Sequence, residues 1–402
     1  MKKIMIVGGG LNQMILIKTA KKENYTVVLC DKAVDCPGRN LADIFYEVDI
    51  LDVKALIDVA KREKIDGVIS NSELAMQNIA EISQAVGVNG NTKESIDAVM
   101  SKAKFRNLQK ESKVFAPKHL SASTFEEIER DIHELNFPVI VKPAESSGTR
   151  GTTVVDSISK IDMIKDAFDK CSDYSRDNKV TVEEYVPMPS LDMIESDIFV
   201  YKNEILWDGI FTTRRSKDYP MLPMTYSMPC DLNENELKRF KEDVSSVIKT
   251  SGIQHGEYNI EAYFTENKEL FIIEINARQG GNQIPELIKQ HSGVDMDKLL
   301  VTTAVGDDYY FEHLKNMERE NNLILKHAIF GRKSGKLKDI YIDELVRDNV
   351  KNITYLVKIG ESIELQGNAN DEVAVISLQF DNRDVQKKIA ENIETYIYAV
   401  IE

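Results

Sequence analysis

The stretch "GEYNIEAYFTENKELFIIEINAR" (Gly256–Arg278) decides how this chain folds. Apolar and polar residues alternate on both sides of Glu266-Asn267-Lys268, the pattern of two antiparallel strands joined by a tight turn. Side chains along a strand point to opposite faces with period two, so Glu274, Asn276 and Arg278 share one face. Glu261 lies on the partner strand, where its carboxylate can reach the same side. Two carboxylates and an amide oxygen are hard oxygen donors that suit Mg²⁺ or Mn²⁺. An arginine beside them points to a nucleotide γ-phosphate and a negatively charged intermediate. An exposed polar strand with a surface Glu–Arg pair is the simpler alternative. It fits less well, because "LFII" (Leu270–Ile273) reads as buried and "EIN" continues the same strand.

Around this hairpin lie 402 residues, enough for two or three domains. Apolar residues are 42% and charged residues 29%, ordinary values for a globular protein. Lys plus Arg is 51 and Asp plus Glu is 66, a net charge of −15. That sign argues against a nucleic acid or an anionic membrane as partner, though not against a small anion in a locally basic pocket. Cys30, Cys36, Cys171 and Cys230 form no C-x-x-C pair, so a zinc site is not expected. "MKKIMIVGGG" reaches glycine after four apolar residues, too soon for a secretory core. No apolar run approaches the roughly 20 residues of a membrane span. A cytoplasmic location is the expectation.

The first segment alternates strand and helix: "KIMIVGG", then "NQMILIKTAKKEN", then "YTVVLCD" ending at Asp31. "DVKALIDVAKREK" reads as an amphipathic helix, "IDGVIS" as a third strand, and "ELAMQNIAEISQAVG" as a helix closed by Gly87. Strands separated by such helices mean a parallel sheet with right-handed crossovers. A helical stretch, "TKESIDAVMSKAKFRNLQKESKV", follows. From Pro117 to about residue 186 the pattern is helix, strand, glycine hairpin, strand, helix, strand. "DIFVYKNEILWDGIFTTR" reads as two strands joined at Lys202-Asn203. Helices are expected over 233–250 and 283–305, and the last 80 residues read as short strands and a final helix. The fold class is mixed α/β and α+β.

Two glycine turns carry phosphate chemistry in different degrees. "VGGGLNQ" (Val7–Gln13), with Asp31 ending the next strand, has part of a dinucleotide fingerprint, but Gln13 stands where the third glycine belongs. A tight strand-to-helix turn without nicotinamide explains it as well. In "VKPAESSGTRGTTVV" (Val141–Val155), Lys142 ends a strand. Ser146, Ser147 and Thr149 offer hydroxyls, and Gly148 and Gly151 free the backbone to approach an anion. No G-K-[ST] opens a helix there, so it is no Walker loop; a solvated turn is the plain alternative.

Taken in order, these pieces resemble the ATP-grasp superfamily over nearly the whole chain. An N-terminal Rossmann-like domain precedes a lysine in "MSKAKF", then "VKP", a glycine loop, "VTVEEYVP" (Val180–Pro187) and the acidic hairpin. The resemblance implies an N-terminal Rossmann-like domain (1–95), a lysine and glycine-loop subdomain (96–186), a metal and substrate subdomain (187–320) and a small C-terminal β-rich lid subdomain (321–402). It implies ATP on Lys102, Lys142 and the loop 145–151, with Ser101 where the family usually has Asp before the first lysine. Glu183, Glu184, Tyr185 and Val186 would form the adenine hinge. Ser190 stands where the family often has a ribose-binding Glu, leaving Asp192 as a substitute. Glu261, Glu274 and Asn276 would hold the metal, and Arg278 would face the acyl phosphate, with Lys142 as its catalytic companion.

The implied reaction is activation of a carboxylate by ATP, giving ADP and an acyl phosphate that an amine captures. "GKLKDI", "VKIGESIEL" and "GGNQIPELIKQHSGVDM" look like the amino-acid ligase group, with Gly280, Gly281, Arg214 and His255 as candidate substrate contacts. A packed histidine is the alternative for His255, and a solvated loop for Arg214. Purine-pathway or carboxylase-type enzymes that activate formate or bicarbonate are the second reading, supported by Asp31, Pro37 and Asp43. No biotin-carrier "MKM" motif occurs. A nicotinamide-dependent or regulatory nucleotide-binding protein is the third. Small-molecule acid and amine substrates and a homodimer are the partners that the resemblance implies.

Overall fold

The computed structural model describes residues 1–145, 151–175, 178–216, 222–366 and 371–402. Strands β1 (Lys3–Val7), β2 (Thr26–Asp31), β3 (Ile44–Glu47) and β4 (Gly67–Ile69) form a parallel sheet in the order β3-β2-β1-β4. Helix α1 (Met14–Lys22) joins β1 to β2, α2 (Val53–Glu63) joins β3 to β4, and α3 (Met76–Val86) follows β4. Ile4, Met5, Ile6 and Val7 are all fully buried, as a parallel strand covered on both faces requires. Strand β3 was not legible, because "IFYE" is short and none of its residues is fully buried.

The next helical stretch divides into α4 (Lys93–Met100) and α5 (Lys102–Glu111), because Ser101 is extended. A four-stranded antiparallel sheet follows, built from β5 (His119–Ala122), β6 (Val139–Pro143), β7 (Thr153–Val155) and β8 (Val180–Glu184). Its order is β5-β8-β6-β7. Helices α6 (Phe125–Asp131) and α7 (Ile161–Ser172) supply Phe125, Ile128 and Phe168 to a core of its own. The Lys102 N–H donates to the Ala144 carbonyl at 3.1 Å, so α5 begins where β6 ends.

The central sheet has eight antiparallel strands. They come from β9 (Asp192–Tyr201), β10 (Glu204–Arg215), β11 (Pro223–Met228), β12 (His255–Phe264), β13 (Leu270–Asn276) and β14 (Leu323–Phe330), then two later strands. After β14 come β15 (Gly335–Ile342), β16 (Val350–Tyr355), β17 (Ser362–Ile363), β18 (Glu372–Phe380) and β19 (Ile397–Ile401). The sheet order is β13-β12-β9-β10-β11-β14-β18-β16, and β17-β15-β19 form a small separate sheet. Helix α8 (Glu234–Ser251) packs Phe240, Val244 and Val247 on the central sheet.

The single helix expected over 283–305 is two, α9 (Ile284–Ser292) and α10 (Met296–Ala304). Gly293, with φ 79°, ends the first in a left-handed turn, and Asp295 starts the second by accepting the Lys298 N–H at 2.9 Å. Helix α11 (Tyr309–Asn316) follows. The chain finishes on β19, not on the expected helix; α12 (Glu344–Arg347), α13 (Arg383–Glu391) and α14 (Ile393–Tyr396) all precede it.

One core joins the first sheet to the central one. Ile4, Ile6, Leu16 and Ile17 pack in the same cluster as Phe199, Leu299, Val301 and Phe311. At its edge a Cβ on Gly67 would lie 2.4 Å from the carbonyl oxygen of Ala304, at the end of α10. Lys2 Nζ also donates to the Val305 carbonyl at 2.7 Å. No helix among the described residues is long and apolar enough to cross a membrane.

Candidate active site

The acidic hairpin is β12 and β13, and Glu261 stands directly opposite Glu274 in its register. Directly paired residues share a face, so both carboxylates meet on one side of the sheet. On the next strand Glu195 stands opposite Glu261. Asn276 Nδ2 donates to Glu274 Oε1 at 3.0 Å, which leaves the amide oxygen for another partner. Burial, and then the facing Glu274, push Glu261 up to about 7, against the pull of Arg215. Arg215 Nη2 lies 3.7 Å from Glu261 Oε2. Burial also raises Glu274, but Lys102, the Asn276 amide, Lys142 and Arg278 outweigh it and leave its pKa below the ordinary value. Among the described residues no group of three or more His, Cys, Asp or Glu side chains has the geometry of a metal site. The donor set is instead two facing, partly buried carboxylates and an amide oxygen, which fits a hard divalent cation.

Lys102 and Lys142, far apart in sequence, therefore both act on the same carboxylate. Lys142 is 7% exposed, and its ammonium donates to Glu183 Oε1. Burial drives its pKa down to about 8 although Glu183 pulls the other way. Glu183 is not a free hinge acid. It accepts from Arg106 Nε at 2.9 Å and Nη2 at 3.2 Å as well as from Lys142. Arg106 is fully buried and also donates to Gln109 and to the carbonyls of Ile272 and Ile273. It thus ties α5, β8 and β13 together. The sequence reading overlooked it. Its signal was its place four residues after Lys102, one helical turn along the same face.

The hinge backbone is held on both sides. The Glu184 N–H donates to the Lys118 carbonyl at 3.0 Å, the Tyr185 N–H to that of Pro138 at 2.9 Å, and the Val186 carbonyl accepts the Tyr263 hydroxyl at 2.7 Å. Ser146, Ser147, Gly148 and Thr149 lie outside the described residues. Gly151 has φ 75°, and a Cβ there would lie 3.1 Å from the Tyr174 ring.

Several expected contacts are engaged elsewhere. Asp192, the candidate for ribose, accepts both Nε and Nη2 of Arg214 at 2.6 Å, so this acid and the candidate substrate arginine neutralise each other across β9 and β10. His255 is packed, 6% exposed, with Tyr201 and Phe199 edge-on to its ring and Thr303 Oγ1 2.9 Å from Nε2. Burial lowers its pKa to about 4, which keeps it neutral. Gly280 serves packing: its N–H donates to Asp197 Oδ2 at 2.8 Å, and a Cβ would strike Ile284 at 2.6 Å. Gly281 has open space where a side chain would go. Asp31 is engaged by the backbone N–H groups of Gly9 and Ala33 at 2.7 and 2.8 Å. One oxygen braces the "GGG" turn and the other the loop after β2, so a ribose would have to displace one of these bonds.

A cleft of about 800 Å³ opens beside this face. One wall is α1, with Lys18 and Lys22; the other is the loop Arg278–Gln283 with Asp295, Asp297 and Lys298. Arg278 Nη2 donates to Glu73 Oε2 at 3.3 Å, across from the first sheet. Arg278 therefore leaves the carboxylate strand and immediately walls the cleft.

Comparison with known proteins agrees with this geometry. Residues 135–286 match the family "ATP-grasp domain", and residues 4–102 match "PylC-like, N-terminal domain". A formate-dependent phosphoribosylglycinamide formyltransferase of Prochlorococcus marinus (strain MIT 9515) is 25% identical over 301 residues, 72% of this chain and 73% of that one. The crystal structure of a phosphoribosylglycinamide synthetase from Anaerococcus prevotii superposes with a TM-score of 0.76 at 23% identity, covering 100% of both chains. That of an L-amino acid ligase from Bacillus licheniformis superposes with a TM-score of 0.80 at 17% identity, covering 100% of this chain and 99% of the other.

Proposed function

We propose, for a chain that belongs to the ATP-grasp superfamily of ADP-forming ligases, that it joins a small carboxylic acid, with an amino acid as the favoured case, to an amine through an acyl phosphate. The observation that carries this reading is the position of Arg278. It follows Glu274 and Asn276 on the acidic strand and lines the 800 Å³ cleft, so a phosphoryl-transfer face and a small-substrate room meet at one guanidinium. The organisation proposed with it is a Rossmann-like unit (1–95), a nucleotide-lysine unit (96–186), a metal and substrate unit (187–320) and a C-terminal lid (321–402).

In this reading a substrate carboxylate oxygen attacks the γ-phosphorus of ATP, and the bond from that phosphorus to ADP breaks. Lys102 and Lys142 offset the charge on the transferring group. Glu261, Glu274 and Asn276 would hold a divalent cation, whose chemistry is to neutralise phosphate oxygens. The Arg278 fork can donate two parallel hydrogen bonds to oxygens of the acyl phosphate. The amine then attacks the acyl carbon, phosphate leaves, and a proton is lost from nitrogen. Four free cysteines accord with a reducing cytoplasm.

The test is ADP and phosphate release from ATP and Mg²⁺ against pools of amino acids, other small acids, and amines. Release that requires an acid together with an amine supports ligation. A second reading, activation of formate or bicarbonate, draws on the likeness to the formate-dependent formyltransferase. It is favoured if either of those two acids alone, without an amino acid, drives release.

A further inference from the structure

Resting on the ligase reading above, we propose that Glu257, Asp297 and the Gln279 amide between them form a subsite for a substrate ammonium group. Glu257 is on β12, four residues before Glu261 and 3% exposed. Its Oε1 is buried with no hydrogen-bond partner. Glu257 lines a small inner cavity of about 50 Å³, together with Ser70, Asn91, Arg278 and Gln279. That volume holds a water-sized or ammonium-sized group. Asp297, on α10, lines the larger cleft. Arg278 and Gln279 line both spaces, so the two adjoin there.

Gln279 bridges the two acids. With its amide nitrogen turned toward them it donates to Glu257 Oε2 at 3.1 Å and to Asp297 Oδ1 at 3.2 Å. The nearby cations are engaged by other acids. Lys298 pairs with Glu23 at 3.0 Å and Lys289 with Asp295 at 2.8 Å. Among the described residues neither Glu257 nor Asp297 has an ion-pair partner within 4 Å. Burial, then neighbouring acids, push Asp297 up to about 7 and Glu257 well above the ordinary carboxylate range. A buried acid beside a half-buried one, held by one neutral amide, is a costly arrangement unless a cation answers it. A primary ammonium has three N–H donors and one positive charge, which suits the unpartnered Glu257 oxygen and the second Asp297 oxygen. The subsite adjoins Arg278, so one ligand can present an anion to the guanidinium and a cation to the acids.

The experiment measures ADP release from ATP and Mg²⁺ with each of the common L-amino acids, and with the deaminated acid of the same side chain, both with hydroxylamine present as the amine that captures the acyl phosphate. The wild type is compared with Asp297→Asn and Glu257→Gln. Asp297 is half-buried at the cleft wall, so its variant keeps the interior packing. The expected result is a KM for the amino acid raised tenfold or more in Asp297→Asn. The KM for ATP and for the deaminated acid should stay within twofold. Glu257→Gln, if it folds, should behave alike. An unchanged amino-acid KM in Asp297→Asn overturns the subsite while leaving the ligase reading intact. No ADP release from the wild type with any amino acid, but release with formate or bicarbonate, overturns both.

Discussion

Glu274 is a half-buried carboxylate drawn in two directions, up by desolvation and down by Lys102, Asn276, Lys142 and Arg278. Glu274→Gln removes a charge that Lys102, Lys142 and Arg278 hold ionised, so the fold should be kept but melting should fall modestly. Turnover should fall on the order of 10²–10³-fold, as when one fixed electrostatic contribution is removed. Single-turnover ADP formation with a parallel melt checks both halves. Lys142 offers a pH signature, since burial brings its pKa down to about 8. The ammonium is charged below that value, so kcat/KM for ATP should fall as pH rises through about 8. Lys142→Arg should move this limb out of range, because a guanidinium stays charged; an identical profile in the variant would assign the limb elsewhere. The acidic strand could be read directly from the sequence, because alternation is a short-range rule that places Glu274, Asn276 and Arg278 together. The pairing of Asp192 with Arg214 could not. It depends on the strand register that sets these two positions opposite each other.

At the scale of elements, Arg106 is where α5, β8 and β13 converge. Arg106→Met keeps the volume but leaves Glu183 facing Lys142 alone. Breaking a buried ionic network of this kind costs about 3–5 kcal/mol, which denaturant unfolding will register. Arg106→Lys should recover part of the stability and less of the ATP affinity, because a single ammonium cannot reproduce the fork on Glu183. Equal stability in Arg106→Met would mean that the three elements hold without it. This network was not legible, because its partners are 77 residues apart and only the fold brings them together. The break between α9 and α10 was partly legible: Gly293 and the capping Asp295 stand in the sequence, but apolar periodicity runs through them.

Across the whole molecule, buried histidines and partly buried acids pull in opposite directions as pH falls: Glu261, Asp297 and Glu372, each held near 7, take up protons more readily when folded, while the histidines resist them. Burial lowers His255 to about 4 and His327 to about 3, and both rings are nearly inaccessible. Their folded pKa lies below the ordinary 6.5, so the unfolded chain binds more protons in between. The histidine contribution is therefore complete above about pH 6.5 and is lost as pH falls toward 4. Each such histidine contributes a slope of about 1.4 kcal/mol per pH unit. Between pH 8 and pH 4.5 a His255→Gln, His327→Gln double variant should therefore lose less melting temperature, or gain more, than the wild type, even if it melts lower at pH 8; parallel pH slopes would remove the histidines from the account. The contact between Gly67 and the end of α10 has a bearing on descent. A recombination that exchanged residues 1–95 for those of a relative would graft a sheet edge shaped by a different helix end. Unless α10 travelled with it, the graft would meet a backbone 2.4 Å from any side-chain carbon at that position. The first sheet and α10, more than 200 residues apart in the gene, are therefore expected to be inherited as one piece.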